Sequence, residues 1–177
     1  MEQEVIYRIA LSRLKGINKA LAQHIHETVE SLETFFELPE SQLQKITGIK
    51  GRILHEDNRQ TALQEARKEM EFIRKGNIEP LYFTEPNYPQ RLLDCIDAPP
   101  LLYYRGNADL NSSKIISIVG TRRATEYGKD FCETLIRDLS EYFPQLVIVS
   151  LDFSNRFCGY SVQRYGAIDS YPTIDQL

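Results

Sequence analysis

The chain has 177 residues, 42% of them apolar and 26% charged, with a formal net charge of −4. That balance describes a globular protein of one ordinary or two small domains and excludes a disordered one; no apolar run approaches the roughly 20 residues that cross a bilayer. Three widely separated cysteines, Cys95, Cys132 and Cys158, exclude a disulfide framework and a Cys-based zinc site and fit a reducing cytoplasm.

The first third predicts short helices joined by tight turns. "EVIYRIALSRL" sets Val5 and Ile9, and Ile6, Ala10 and Leu14, at helical spacing. "KGIN" interrupts the pattern, and "KALAQHIHETV" resumes it with Leu21, Ile25 and Val29. Ser31 is placed to cap "LETFFEL", Pro39 opens "ESQLQKI", and "TGIKG" closes it. The strongest helical pattern is "NRQTALQEARKEMEFIRKG", with Ala62, Ala66, Met70 and Ile73 as its apolar stripe and Gly76 as its stop. Two similar helix–turn–helix units thus lie about 30 residues apart, a weak internal repeat.

Residues 76–110 change character. "IEPLYF" and "LLYYRGN" predict two short strands, and Pro80, Pro86, Pro89, Pro99 and Pro100 forbid a long helix between them. This stretch reads as an ordered connector that packs through tyrosines and leucines. Charge is unevenly spread: residues 1–75 carry 12 basic and 12 acidic side chains, whereas 76–110 carry 2 basic and 5 acidic. An anion site must therefore be a local cluster of donors rather than a global field.

From Lys114 a β–α–β pattern follows. "IISIV" predicts a strand covered on both faces, "YGKDFCETLIRDLSEYF" a helix with Phe131, Leu135 and Leu139 on one stripe, and "QLVIVS" a second strand parallel to the first. The last 27 residues, rich in Tyr, Ser and Asn, show neither a clear period nor a clean strand.

The turn in "ISIVGTRRATEYGKDF" is the first candidate site. Ligands of parallel sheets sit beyond the carboxyl ends of strands, where the next helix presents free N–H groups. Gly120 permits a sharp turn, and Thr121 and Thr125 supply hydroxyls. Arg122 supplies a forked donor suited to phosphate, with Arg123 beside it. Tyr127 offers a ring for base stacking, and Gly128 follows it. Spacing alone leaves phosphate or nucleic-acid binding and an ordinary solvated βα rim equally open. The pattern is neither a dinucleotide fingerprint nor a Walker loop, so nucleotide hydrolysis has no support.

The second candidate is the pair of hairpins "LKGINKALAQHI" and "ITGIKGRILHE", which resemble helix–hairpin–helix turns whose N–H groups grip a DNA backbone phosphate. Lys15, Gly16 and Lys19 belong to the first, and Gly48, Lys50, Gly51 and Arg52 to the second. Asn18 stands where a second glycine is usual, and a packing or protein-docking role competes with DNA contact. His24, His26 and His55 form no metal set and read as solvent-exposed positions, and no nucleophile–base pair is found. No cofactor, metal or catalytic residue is expected.

Together these residues resemble the bacterial DNA-processing protein A family (DprA, also called Smf). In its signature a strand is followed by Gly, Ser or Thr, Arg, two variable residues, Ser or Thr, one variable residue, Tyr and Gly. Gly120, Thr121, Arg122, Thr125, Tyr127 and Gly128 match it position by position. "YPQRLLDCIDAPPLLYYRGN" is similar to the stretch preceding that signature, and the resemblance runs from about residue 4 to Ser150. It implies a non-catalytic, cytoplasmic single-stranded DNA-binding protein that protects incoming strands in natural transformation and helps load the RecA recombinase. It further implies that Arg122 contacts backbone phosphate. After "VIVS" the family continues Gly-Leu-Ala-x-Gly-Ile-Asp, whereas here "LDFSNRFCGYS" follows. The expectation is a truncated or frame-shifted member with impaired activity. Its sheet would be cut after the second strand, leaving a hydrophobic edge, and the family's surfaces for self-association and RecA contact would be largely missing.

The expected fold is α/β. A helical, helix–hairpin–helix or SAM-like domain covers 1–76, a proline-rich connector 77–113, the incomplete start of a Rossmann-like parallel sheet 114–150, and an atypical tail 151–177. Two other readings stand beside it: a nucleotide-processing Rossmann-like enzyme, and a helical protein-docking module with a degraded second domain.

Overall fold

The computed structural model describes residues 2–106, 108–118, 125–144, 146–152 and 159–163, with only the backbone described for 149–152 and 159–163. The chain divides into two compact units, Met1–Gly106 and Asn107–Leu177.

The first unit begins with five helices: α1 (Glu2–Arg13), α2 (Lys19–Thr28), α3 (Leu32–Glu37), α4 (Glu40–Thr47) and α5 (Glu56–Gly76), with a 3-10 turn at Arg52–Leu54. Polar caps start α2 and α3. The Asn18 side chain accepts from the Leu21 N–H and Ser31 from the Thr34 N–H. Asn18 therefore serves the first hairpin as a helix cap, which explains the missing second glycine. Gly48 ends α4 in the left-handed region at φ 69°. The expected stop of α5 at Gly76 shifts by one residue: the helix includes Gly76, and Asn77 takes the left-handed position at φ 49°.

Helix α1 packs most extensively on α5 and also touches α3. Ile9, Ala10 and Leu11 of α1, Phe35 of α3 and Ala66 of α5 are fully buried. Phe36 stacks on Tyr7 with ring centroids 5.6 Å apart. Each such side chain contributes roughly 1.5–3 kcal/mol by leaving water. At the centre of this apolar assembly lies a charge. Arg59, 1% exposed, donates to the carbonyls of Leu54 at 3.0 Å, Phe35 at 2.6 Å and Leu38 at 2.8 Å.

The unit is completed by a β-hairpin, β1 (Glu79–Tyr82) antiparallel to β2 (Leu101–Tyr104), with a one-turn helix α6 (Gln90–Leu93) between them. The prolines have the effect the sequence predicts, and Leu81, Tyr82, Tyr88 and Leu101 are buried. Polar ties fasten the hairpin to the helices. Arg8 reaches Glu85 at 2.6 Å, His26 Nε2 lies 2.9 Å from the Tyr82 hydroxyl, and the Lys19 ammonium donates to the Leu93 carbonyl. His26 is thus half-buried rather than solvent-exposed as the sequence suggests, because the Tyr82 phenol needs its ring nitrogen.

The second unit holds β3 (Ile115–Ile118), α7 (Glu126–Tyr142), β4 (Val147–Asp152) and β5 (Gly159–Gln163). Strands β3 and β4 are parallel, as the β–α–β pattern predicts. Two expectations are corrected. The tail supplies a strand, and β5 pairs antiparallel with β4, so the edge of β4 is not left open. Nor is β3 covered on both faces: Ile116 is exposed and no side chain of α7 is fully buried. One helix and three short strands supply too little apolar surface, among the described residues, to sandwich that strand.

Replacing Arg59 by Met keeps the volume but leaves two buried acceptors and one half-buried acceptor unpaired. The expected loss is about 3–5 kcal/mol of unfolding free energy, read as a lowered urea midpoint by circular dichroism. A loss below about 1 kcal/mol would contradict the role given to this side chain.

Candidate nucleic-acid interface

The glycine turn lies between β3, which ends at Ile118, and α7, which begins at Glu126. Gly120, Thr121, Arg122 and Arg123 lie outside the described residues. The described part of the motif is its exit. Thr125 caps α7, its Oγ1 accepting from the Gly128 N–H at 3.2 Å while its carbonyl accepts from the Lys129 N–H at 3.0 Å. Gly128 thereby serves the cap. A Cβ there would meet Thr125 Oγ1 at 3.4 Å, an ordinary contact, so its amide matters more than the absence of a side chain.

Tyr127 projects from the first turn of α7, 79% exposed. Its ring stacks on Phe131, one turn on, at 6.4 Å between centroids and 25° between planes. Phe131 is itself 55% exposed, which makes a two-ring aromatic surface. The sequence signal for Phe131 is its i, i+4 relation to Tyr127, obscured because the same spacing predicts a core stripe. The rest of α7 offers phosphate little. Lys129 is paired with Glu126 at 2.7 Å, and Asp130, Glu133, Asp138 and Glu141 also line the helix.

The two hairpin turns differ. In the first, Gly16 has φ 92° and Lys15 is exposed, but the Lys19 ammonium is taken by the Leu93 carbonyl. In the second, the Gly48 N–H closes α4 and the Ile49 N–H donates to Thr47 Oγ1 at 3.1 Å. His24 Nε2 lies 2.7 Å from the Thr47 carbonyl and fixes that corner to α2. Gly51, at φ 113° and ψ −173°, then occupies backbone space that side chains rarely enter. Around it the N–H groups of Lys50, Gly51 and Arg52 have no acceptor among the described residues, and both basic side chains are exposed. The structure therefore separates the two turns in one respect: the Lys19 ammonium of the first is engaged by the Leu93 carbonyl, whereas Lys50 and Arg52 of the second stay exposed.

Among the described residues no three His, Cys, Asp or Glu side chains come together as metal ligands, and no helix is long and apolar enough to cross a membrane.

Residues 79–150 match the family model of DNA recombination-mediator protein A. That match takes in 72 of the chain's 177 residues, a likeness of this segment to the family. The chain is also 40% identical over 63 residues to the DNA processing protein DprA of Streptococcus pneumoniae (strain ATCC BAA-255 / R6). That alignment covers 36% of this chain and 21% of the pneumococcal protein, so the chain spans about a fifth of the length of the curated relative it matches. The DNA recombination-mediator segment begins in the β-hairpin of the first unit and ends in β4 of the second, taking in the whole signature from Gly120 to Gly128.

Gly51→Ala forces a Cβ into that glycine-only conformation, and the expected cost is about 1–3 kcal/mol, read as a lower thermal midpoint. An unchanged midpoint would show that the turn relaxes without loss.

Proposed function

We propose that the protein binds single-stranded DNA through the turn between β3 and α7, protecting incoming strands in transformation and helping to load a RecA recombinase. The observation that carries this reading is the family segment 79–150 with the complete signature inside it. Its DNA-processing relative supports it. The parallel β3–α7–β4 arrangement supports reading the second unit as the start of a Rossmann-like sheet, where anions bind beyond the carboxyl ends of strands.

In this mechanism Arg122, with Arg123 beside it, pairs its guanidinium with a backbone phosphate. Main-chain amides of the turn add neutral donors, and Thr125 fixes the first turn of α7. Tyr127 takes the face of a base, which is sequence-tolerant because every base has a π-face. No bond is made or broken, so the role is binding and presentation of the strand. The second hairpin adds a backbone contact through the open N–H groups at Gly51 and through Lys50 and Arg52. With a net charge of −4 and an acidic α7, long-range attraction is weak and affinity comes from these local contacts.

Fluorescence anisotropy with a labelled single-stranded oligonucleotide at two salt concentrations tests this. Affinity is expected to fall with salt at a slope of about −0.7 per phosphate neutralised. Arg122→Ala should weaken binding on the order of tenfold, equivalent to about 1.4 kcal/mol. Binding indifferent to salt and to Arg122→Ala would refute the assignment. In the same assay Lys50→Ala with Arg52→Ala should reduce affinity further, whereas Lys19→Ala, whose ammonium is engaged by the Leu93 carbonyl, should have little effect; equal effects would remove the distinction between the hairpins.

A further inference from the structure

The contact between the helices and the start of the family segment contains the half-buried histidine His26. The Tyr82 side chain is fully buried, and burial pushes its phenol well above the ordinary value, so the O–H proton stays in place. Among the described residues the hydroxyl has one partner, His26 Nε2 at 2.9 Å. With no other acceptor for that buried proton, the favoured arrangement has the phenol donating to a neutral His26 whose own proton is on Nδ1.

The charges around the ring come from three elements. From α1, the Arg8 guanidinium lies 5.2 Å from the centre of the Tyr82 ring, and its Nε donates to Glu4 at 3.3 Å. From the hairpin, Glu85 accepts from Arg8 at 2.6 Å and from the Tyr82 N–H at 3.0 Å. On its own helix His26 sits in the last turn, next to Glu27 and four residues before Glu30. Glu4 and the helix terminus favour the imidazolium; burial and Arg8 oppose it, and burial is the largest influence, so the histidine is held below its ordinary value.

We propose that His26, Tyr82, Arg8 and Glu85 form an acid-sensitive latch: neutral His26 holds the β1–β2 hairpin on the helices, and protonation of His26 releases it. A protonated Nε2 can no longer accept. The phenol must then accept from it instead, which leaves the phenolic proton buried without an acceptor and a second cation beside Arg8. The direction follows from linkage. A group that binds its proton less readily folded than unfolded contributes stability that is complete above the unfolded value and lost as pH falls toward the folded one. Tyr82 and Glu85 belong to the family segment and His26 and Arg8 to the helices, so the latch couples acidity to how firmly that segment is seated.

The test is NMR on the full chain. Ring resonances of His26 are followed through pH 7 to 5, together with amide protection factors of Phe83 and Tyr88 in the hairpin and of Leu11 in α1. The expected result is a His26 midpoint below its ordinary value of about 6.5. Protection of Phe83 and Tyr88 should be lost over the same range while Leu11 stays protected. His26→Gln, which still accepts from the phenol but cannot titrate, should keep hairpin protection throughout; Tyr82→Phe should move the His26 midpoint upward. A midpoint at or above the ordinary value overturns the proposal. So does equal loss of protection in His26→Gln, which would assign the acid response to the carboxylates of Glu4 and Glu85.

Discussion

The first unit depends on a buried guanidinium. Short helices meeting at tight corners leave carbonyls at their ends without helical partners, and burying such groups unpaired costs more than most single contacts contribute. The carbonyls of Phe35 and Leu38, at the end of α3, and of Leu54, at the end of the 3-10 turn, all converge on Arg59 of α5. One side chain with five donors in a rigid fork satisfies all three. Lysine could aim at these acceptors but lacks the planar spread to reach them together. The apolar groups Phe35, Leu32, Leu43 and Leu54 supply the hydrophobic drive around it; Arg59 fixes which corner each turn makes.

The same logic recurs where the β-hairpin meets the helices. Tyr88 is buried and donates to the Pro99 carbonyl at 2.6 Å, Tyr82 finds His26, and Lys19 finds Leu93. Tyr103 is tied to Glu69 of α5, which also accepts from Arg13 of α1 at 2.7 Å. The proline-rich stretch is thus a structural part of the helical unit. A family segment that starts at residue 79 takes its first elements from one compact unit and its signature from another.

Periodicity made the helices legible because their apolar faces bury locally: Ile6, Ile9 and Ala10 in α1 with Leu14 just past its end, and Ala62, Ala66 and Ile73 in α5. Caps at Ser31 and Gly48 were legible because each is a local contact. Arg59 was not, since one arginine among the charges of a long helix carries no pattern that marks it as buried; its partners lie up to 24 residues away. His26 escaped for the same reason, its partner being 56 residues distant. Strand β5 was illegible because "GYSVQ" has almost no apolar run and takes its shape from the edge of β4. On the α7 stripe, helical spacing identified Phe131 and Leu135 as apolar but could not say what covers them, and in this unit both stay exposed. For the site, spacing picked out the Thr125 hydroxyl without its role, which is to cap α7. Nor could it show that Lys19 is occupied while Lys50 and Arg52 stay exposed, because both facts depend on where the rest of the chain packs.

The functional account reduces to one physical claim: the strand lies across the exit of β3 with a base against the exposed aromatic pair of α7. Photocrosslinking of a halogenated single-stranded oligonucleotide, followed by peptide mass spectrometry, addresses that contact directly. The account predicts crosslinked peptides that span residues 119–131, with Tyr127 or Phe131 as the modified residue. Crosslinks confined to other peptides, with 119–131 unmodified at saturating oligonucleotide, would contradict it.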